Sequence, residues 1–241
     1  MTEKFQGIVI DVTRHNDRND IVTLFTRSRG RVSFISPAGA GKAARLRQAR
    51  LMPLSVIEGD VNFRANVELQ RLGQFSPSIV WTDIYFHPVK RMVAIFLSEF
   101  LNRLLRASMP DPTMWDFIVE SLRLFDGMKK DVADFHITFL ASLLPFAGIQ
   151  PDASAYREGM VFDFQEGRFR TFAPLHRDYL LPDAARIAAL ICRVNFSNMH
   201  ALRLNGTLRY QILDGLLHYY GIHYPGTSNL KSLSVLHDLV N

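Results

Sequence analysis

The sequence predicts an α+β protein, with a small N-terminal β-barrel followed by a larger, mostly α-helical region. Residues 1–80 carry about five short runs rich in β-branched residues, separated by turn clusters. After a Ser/Pro/Thr/Asp-punctuated stretch at 75–83, apolar residues recur at three- and four-residue spacing instead. The domains expected are therefore 1–80 and 81–241. A third observation concerns function. One hairpin and the loop behind it concentrate positive charge.

The strands come first. GIVIDVT (Gly7–Thr13) reads as a strand, and HNDRND (15–20) as a turn. Ile21–Thr26 and Val32–Ser36 form a hairpin, and their connection Arg27–Gly30 ends in glycine, which suits a turn visiting positive φ. On the second of these strands Val32 and Phe34 alternate with Arg31 and Ser33, giving one apolar face and one polar face. Pro37, Gly39 and Gly41 then break the pattern. KAARLRQAR is either a short basic helix or a mobile arm. LMPLSVIE (51–58) and NVELQRL (66–72) read as two further strands. About five strands with an insert after the third suggest a small closed barrel, of which the OB-fold is the leading case.

The helices follow. Val89, Met92, Val93, Phe96, Leu97, Phe100 and Leu104 line one face of a helix. Pro88 suits its first turn, and MPDP (109–112) stops it. Thr113 is a candidate cap for a second helix reaching Asp126. A third is expected over 132–147, ended by Gly148. MVFDFQEGRFRTF (160–172) reads as a small hairpin with its turn at 165–167. Helices over 182–194, 206–220 and 232–240 complete the chain.

Composition narrows the function. Hydrophobic content of 48% fits a globular protein, and a net charge of +5 favours anionic partners. No apolar run approaches membrane-spanning length, and the N-terminus lacks a signal-peptide pattern. A soluble, cytoplasmic protein is expected. Cys192 is the single cysteine, so no internal disulfide and no multi-cysteine zinc site can form. Between Asp20 and Arg50 stand Arg27, Arg29, Arg31, Lys42, Arg45, Arg47 and Arg50, with Asp20 as the only acid. Like charges repel, so such a cluster points to an anionic ligand, and a polyphosphate backbone is the commonest. Its alternative is a solvated charged face.

GAGK (39–42) lacks the spacing of a phosphate-binding loop, since Ser36 stands where the first glycine belongs and Ala43 where Ser or Thr belongs. His176, Arg177 and Asp178 offer acid–base chemistry on paper, but adjacent loop residues seldom converge on one site, and a turn role is preferred. Neither hydrolysis nor other catalysis is expected. Cys192 reads as a core residue. Phe34 or Phe63 would suit stacking on bases, although the alternation of Phe34 favours the barrel core. Arg186, Arg193, Arg203 and Arg209 extend the basic character into the helical half.

The ordered series GIVIDV, DIVTLFTRSRGRVSFIS, the basic stretch, LMPLSVIEGD, FHPVKRMVAIFLSEFL, APLHRDYLLP and LKSLSVLHDL resembles the bacterial recombination and repair mediator family RecO over nearly the whole chain. The resemblance implies an N-terminal OB-fold, binding of single- and double-stranded DNA, and annealing of complementary strands. It also implies cooperation with RecR to place RecA on DNA coated by single-strand-binding protein, in the cytoplasm with the nucleoid. In some members the helical domain binds the C-terminal tail of that coating protein. Many members carry a four-cysteine zinc site, and the corresponding region here, 149–181, has no cysteine, so no zinc or other cofactor is expected. The alternative is an interaction scaffold for RecR or the coating protein that binds DNA only weakly.

Overall fold

The computed structural model describes residues 2–106 and 109–240. The chain divides into two compact units, Met1–Gly127 and Met128–Asn241.

The first unit contains β1 (Glu3–Asn16), β2 (Asn19–Thr26), β3 (Gly30–Pro37), α1 (Lys42–Ala49), β4 (Val56–Val61), β5 (Leu69–Arg71), β6 (Phe75–Ile79), α2 (Pro88–Leu104) and α3 (Pro112–Gly127). The strands form one sheet in the order β5-β3-β2-β1-β4-β6. Every pairing is antiparallel except β3 with β5. β1 is long enough to pair with both β2 and β4. Register shifts after Val9 and after Arg14 bend it, and the sheet curls around its own apolar face. Phe5, Val9, Val22, Leu24, Phe34, Ile57, Leu72 and Phe75 fill that curl. Ile8 and Ile10, on the opposite face of β1, are also buried, and the Ser98 hydroxyl of α2 donates to the Ile10 carbonyl at 2.9 Å. The sheet is thus covered on both sides. Each fully buried Leu, Ile or Phe contributes roughly 1.5–3 kcal/mol to holding it there.

Three details depart from the sequence reading. Expected as a closed barrel, the sheet is a curled half-barrel, with β5 and β6 as its edges. Second, LMPLSVIE is a turn and then a strand. Leu51 and Leu54 are buried, but Leu54 sits at φ 63°. It donates its N–H to Val9, and its carbonyl accepts from the Trp81 indole, so its apolar character reports burial in a turn. Third, FSPSI (75–79) pairs with β4, although Ser-Pro-Ser looks like punctuation. Proline is tolerated because β6 is an edge strand.

The helices of this unit start where their caps dictate. His87 Nδ1 accepts from the Lys90 N–H, and Pro88 opens α2. At α3 the capping acceptor is Asp111, bonded to the Met114 N–H at 2.9 Å, rather than Thr113. Pro112 takes the first helical position.

In the second unit a 3₁₀ turn, Val132–Asp134, leads into α4 (Phe135–Leu143). β7 (Val161–Asp163), β8 (Arg168–Arg170), β9 (Tyr179–Leu180), α5 (Pro182–Ile191), α6 (Gly206–His223) and α7 (Leu233–Val240) follow. α4 stops short of the expected 147 because Pro145 has no N–H to continue the ladder. It is buried along most of its length, and α6 is tied to it. The Tyr220 hydroxyl donates to the Leu140 carbonyl, and Arg209 Nε reaches Asp134 at 2.7 Å. The hairpin at 160–172 gains β9 as a third strand, in the order β8-β7-β9.

Candidate nucleic-acid interface

The basic stretch after β3 folds as α1. It has no acidic residue in its first turn and no buried residue, so apolar burial does not hold it to the sheet. Arg47 does. Its Nε donates to the Ser36 hydroxyl at 2.8 Å, and its Nη2 donates to the Leu72 and Gly73 carbonyls, both at 2.9 Å. The guanidinium lies 4.6 Å from the Phe75 ring centre. Burial holds its pKa below the ordinary arginine value. With Arg47 turned inward, helical geometry turns Lys42 and Arg45, three residues apart, to another face. Both are exposed, and Arg50 is half-buried at the C-cap, where the helix dipole favours a cation. Among the described residues no carboxylate or side-chain hydrogen bond engages these three.

The hairpin cations are placed differently. Arg27 forms a two-pronged pair with Asp116 on α3, at 3.0 and 2.9 Å, and lies 5.9 Å from the Trp115 ring centre. Arg29 forms the same kind of pair with Glu3 on β1, at 2.8 and 3.2 Å, and lies 4.2 Å from the Phe63 ring centre. Arg31 points to the α2 side of the sheet and donates to Asn102 at 3.0 Å. Burial, and then repulsion from Arg106, lower its pKa. The structure thus splits the seven cations. Three stand clear on α1 and its C-cap, and four are engaged by neighbours. Phe34 is fully buried between Phe5 and Phe63, with ring centres 5.6 and 6.2 Å away, so it belongs to the core.

Three exposed arginines join the surface that sequence reasoning passed over. Arg18 lies in the β1–β2 turn, whose carbonyl accepts from the Ala38 N–H at the start of the basic loop. Arg71 precedes Leu72, the residue Arg47 grips. Arg64 lines a cleft of about 630 Å³ beside β3, with Arg29, Phe63, Val32 and Glu68. Arg71 stands where the alternation of Val67 and Leu69 calls for an apolar residue, so the pattern gave no signal for it. For Arg18 and Arg64, in turns, the sequence offered none. The surface holds cations and aromatic rings and can neutralise phosphates.

Residues 1–78 match the family model for recombination protein O, N terminal, and residues 87–234 that for recombination protein O, C terminal. The chain belongs to the RecO family. It is 33% identical to the DNA repair protein RecO of Bacteroides fragilis over 240 residues, covering 99% of each chain. It is 31% identical to that of Phocaeicola vulgatus over 239 residues, also at 99% of each. A RecO of Flavobacterium psychrophilum is 26% identical over 240 residues, again at 99% of each. The curled sheet lies within the N-terminal RecO match, so it is the OB-fold of this family. The parallel β3–β5 pairing and the helix between β3 and β4 complete that topology.

In the RecO helical region the remaining candidates take structural places. His176 Nδ1 accepts from the Asp178 N–H, and its Nε2 lies 3.3 Å from Asp163 Oδ1. Asp163, fully buried, also accepts from the Gln165 and Glu166 N–H groups and from Arg170. That network holds the cysteine-free hairpin. Among the described residues no group of three or more His, Cys, Asp or Glu is placed to hold a metal. Arg209 is buried against Asp134, and Arg193 donates to the Ala153 carbonyl. Cys192 is half-buried, and burial pushes its thiol up to about 11. It lines an apolar pocket of about 440 Å³ with Leu180, Ile187, Leu208 and Tyr219. No helix among the described residues is long and apolar enough to cross a membrane.

Proposed function

We propose that this protein is a non-enzymatic mediator of recombinational DNA repair. It binds single- and double-stranded DNA, anneals complementary strands, and works with RecR to load RecA onto DNA coated by single-strand-binding protein. The observation that carries this reading is α1, a basic helix pinned to the curled OB sheet by Arg47 with Lys42, Arg45 and Arg50 left unneutralised. Such a surface attracts phosphate whatever the base sequence, and its binding weakens with salt through counterion release. Annealing needs nothing more. Cations shared between two backbones lower the repulsion that keeps complementary strands apart. The resemblance to the RecO family is what suggests RecR, RecA and the coating protein as partners. The apolar pocket of the helical region, lined by Leu180, Ile187, Leu208 and Tyr219, suits the hydrophobic end of the latter's tail.

The second reading is a scaffold for RecR or the coating protein with weak DNA binding. Arg27, Arg29, Arg31 and Arg47 favour it, because neighbours already engage them. Annealing of complementary oligonucleotides, with and without the coating protein, separates the two readings. A Lys42→Glu, Arg45→Glu, Arg50→Glu variant should lose annealing while still co-purifying with RecR. Annealing at the wild-type rate by that variant would favour the scaffold.

A further inference from the structure

Arg27 and Arg29, two residues apart on the β2–β3 turn, are built alike. Each guanidinium lies near an aromatic ring, Trp115 or Phe63, and each presents its fork to a carboxylate, Asp116 or Glu3. A carboxylate held by two parallel N–H···O bonds occupies the positions that two phosphate oxygens would take. All four charged side chains are about half exposed. An exposed pair of this kind contributes about 0–1 kcal/mol, so a phosphate arriving at high local concentration can displace it. The Arg27 guanidinium nevertheless holds the Asp116 carboxyl below its ordinary range.

We infer that the β2–β3 turn is a second phosphate subsite, held shut by Glu3 and Asp116 and opened by exchange of their carboxylates for a nucleic-acid backbone. The inference rests on the DNA-binding reading above. The rings matter because they keep the guanidinium planes in place when the carboxylates leave. The two halves differ in surroundings. Around Arg27 the depression is charge-mixed, with Lys4 against Glu58 and Asp60. The cleft at Arg29 sets Arg64 against Glu68, without the second acid of the Arg27 side. The Glu3 latch therefore guards the more basic side. Exchange also has a thermodynamic signature. The counterions released are those condensed on the phosphate. When an arginine leaves its own carboxylate for a phosphate, the bared carboxylate attracts a cation in return, so the net release is small; with the carboxylate removed beforehand, the release is uncompensated.

The test is a salt series of single-strand binding, with a labelled, unstructured oligonucleotide, for wild type, Glu3→Gln, Asp116→Asn and Glu158→Gln. Glu158 is an exposed acid of the other unit and controls for net charge alone. Glu3→Gln should tighten binding about threefold at low salt and steepen the log–log slope by about 0.7, and Asp116→Asn should do so less. Adding Arg29→Gln to Glu3→Gln should abolish the gain. An unchanged affinity and slope in Glu3→Gln, or an equal gain in Glu158→Gln, would overturn the latch while wild-type binding left the DNA-binding reading standing. If neither wild type nor Glu3→Gln bound DNA, both would fall.

Discussion

Arg47→Ala should detach α1 from the curled sheet. The wild-type side chain donates to three acceptors, Ser36, Leu72 and Gly73, and packs over Phe75. Hydrogen bonds of this kind contribute about 1 kcal/mol each, and the cation–ring contact adds about 0.5–1 kcal/mol. Because Arg47 is only half-buried, water replaces part of the loss, leaving a destabilisation of about 2–3 kcal/mol. For a unit of this size that lowers Tm by about 6–10 °C. Nothing else compensates, since no residue of α1 is buried. The assay is thermal unfolding followed by circular dichroism, with Arg45→Ala as comparator. Arg45 is exposed, and its removal should change stability by no more than about 0.5 kcal/mol. Equal melting of the two variants would refute the view that Arg47 anchors α1.

Three further outcomes are expected. Lys90 is fully buried and donates to Asp83 at 2.7 Å and to the Asp126 carbonyl at 2.8 Å, so Lys90→Met should cost about 2–4 kcal/mol in a denaturant titration. At Asp163 burial alone would raise the pKa. Bonds from the Glu166 N–H, Arg170 and the Gln165 N–H, with the charge of His176, outweigh it and hold the carboxyl below its ordinary value. A depressed folded pKa stabilises above the unfolded pKa and loses that contribution as pH falls. Asp163→Asn should therefore be about 1–3 kcal/mol less stable than wild type near neutrality, with the gap closing below about pH 4 in urea titrations across pH. Finally, purified protein should hold no stoichiometric zinc by elemental analysis, and a chelator should leave its melting curve unmoved, because Asp163 and its partners brace the hairpin.

What the sequence revealed, and what it hid, has a consistent physical cause. The strands β1 to β3 and the helix α2 were legible because their apolar residues follow the period of the element over many residues. β6 was not, since an edge strand tolerates Pro77 and two serines that a central strand would exclude. Leu51 and Leu54 misled because a buried turn needs apolar side chains as much as a strand does. Charge density in the basic stretch was visible, but its division was not. Asp116 lies 89 residues from Arg27, and Leu72, whose carbonyl accepts from Arg47, lies 25 residues away. No local pattern foretells which cation will meet a distant acceptor, so the sequence could count the positive charges without saying which would remain unneutralised.

The central claim is that Lys42, Arg45 and Arg50 form the main phosphate contact. Its most direct test is the affinity of wild type and the Lys42→Glu, Arg45→Glu, Arg50→Glu variant for an unstructured single strand across a salt series. Arg47 is left in place, so that α1 stays docked. Three phosphate contacts at about 0.7 each should make the wild-type log–log slope steeper than the variant's by about 2, with much tighter binding at low salt. Equal slopes and equal affinities in two folded proteins would contradict the claim and move the DNA path off α1.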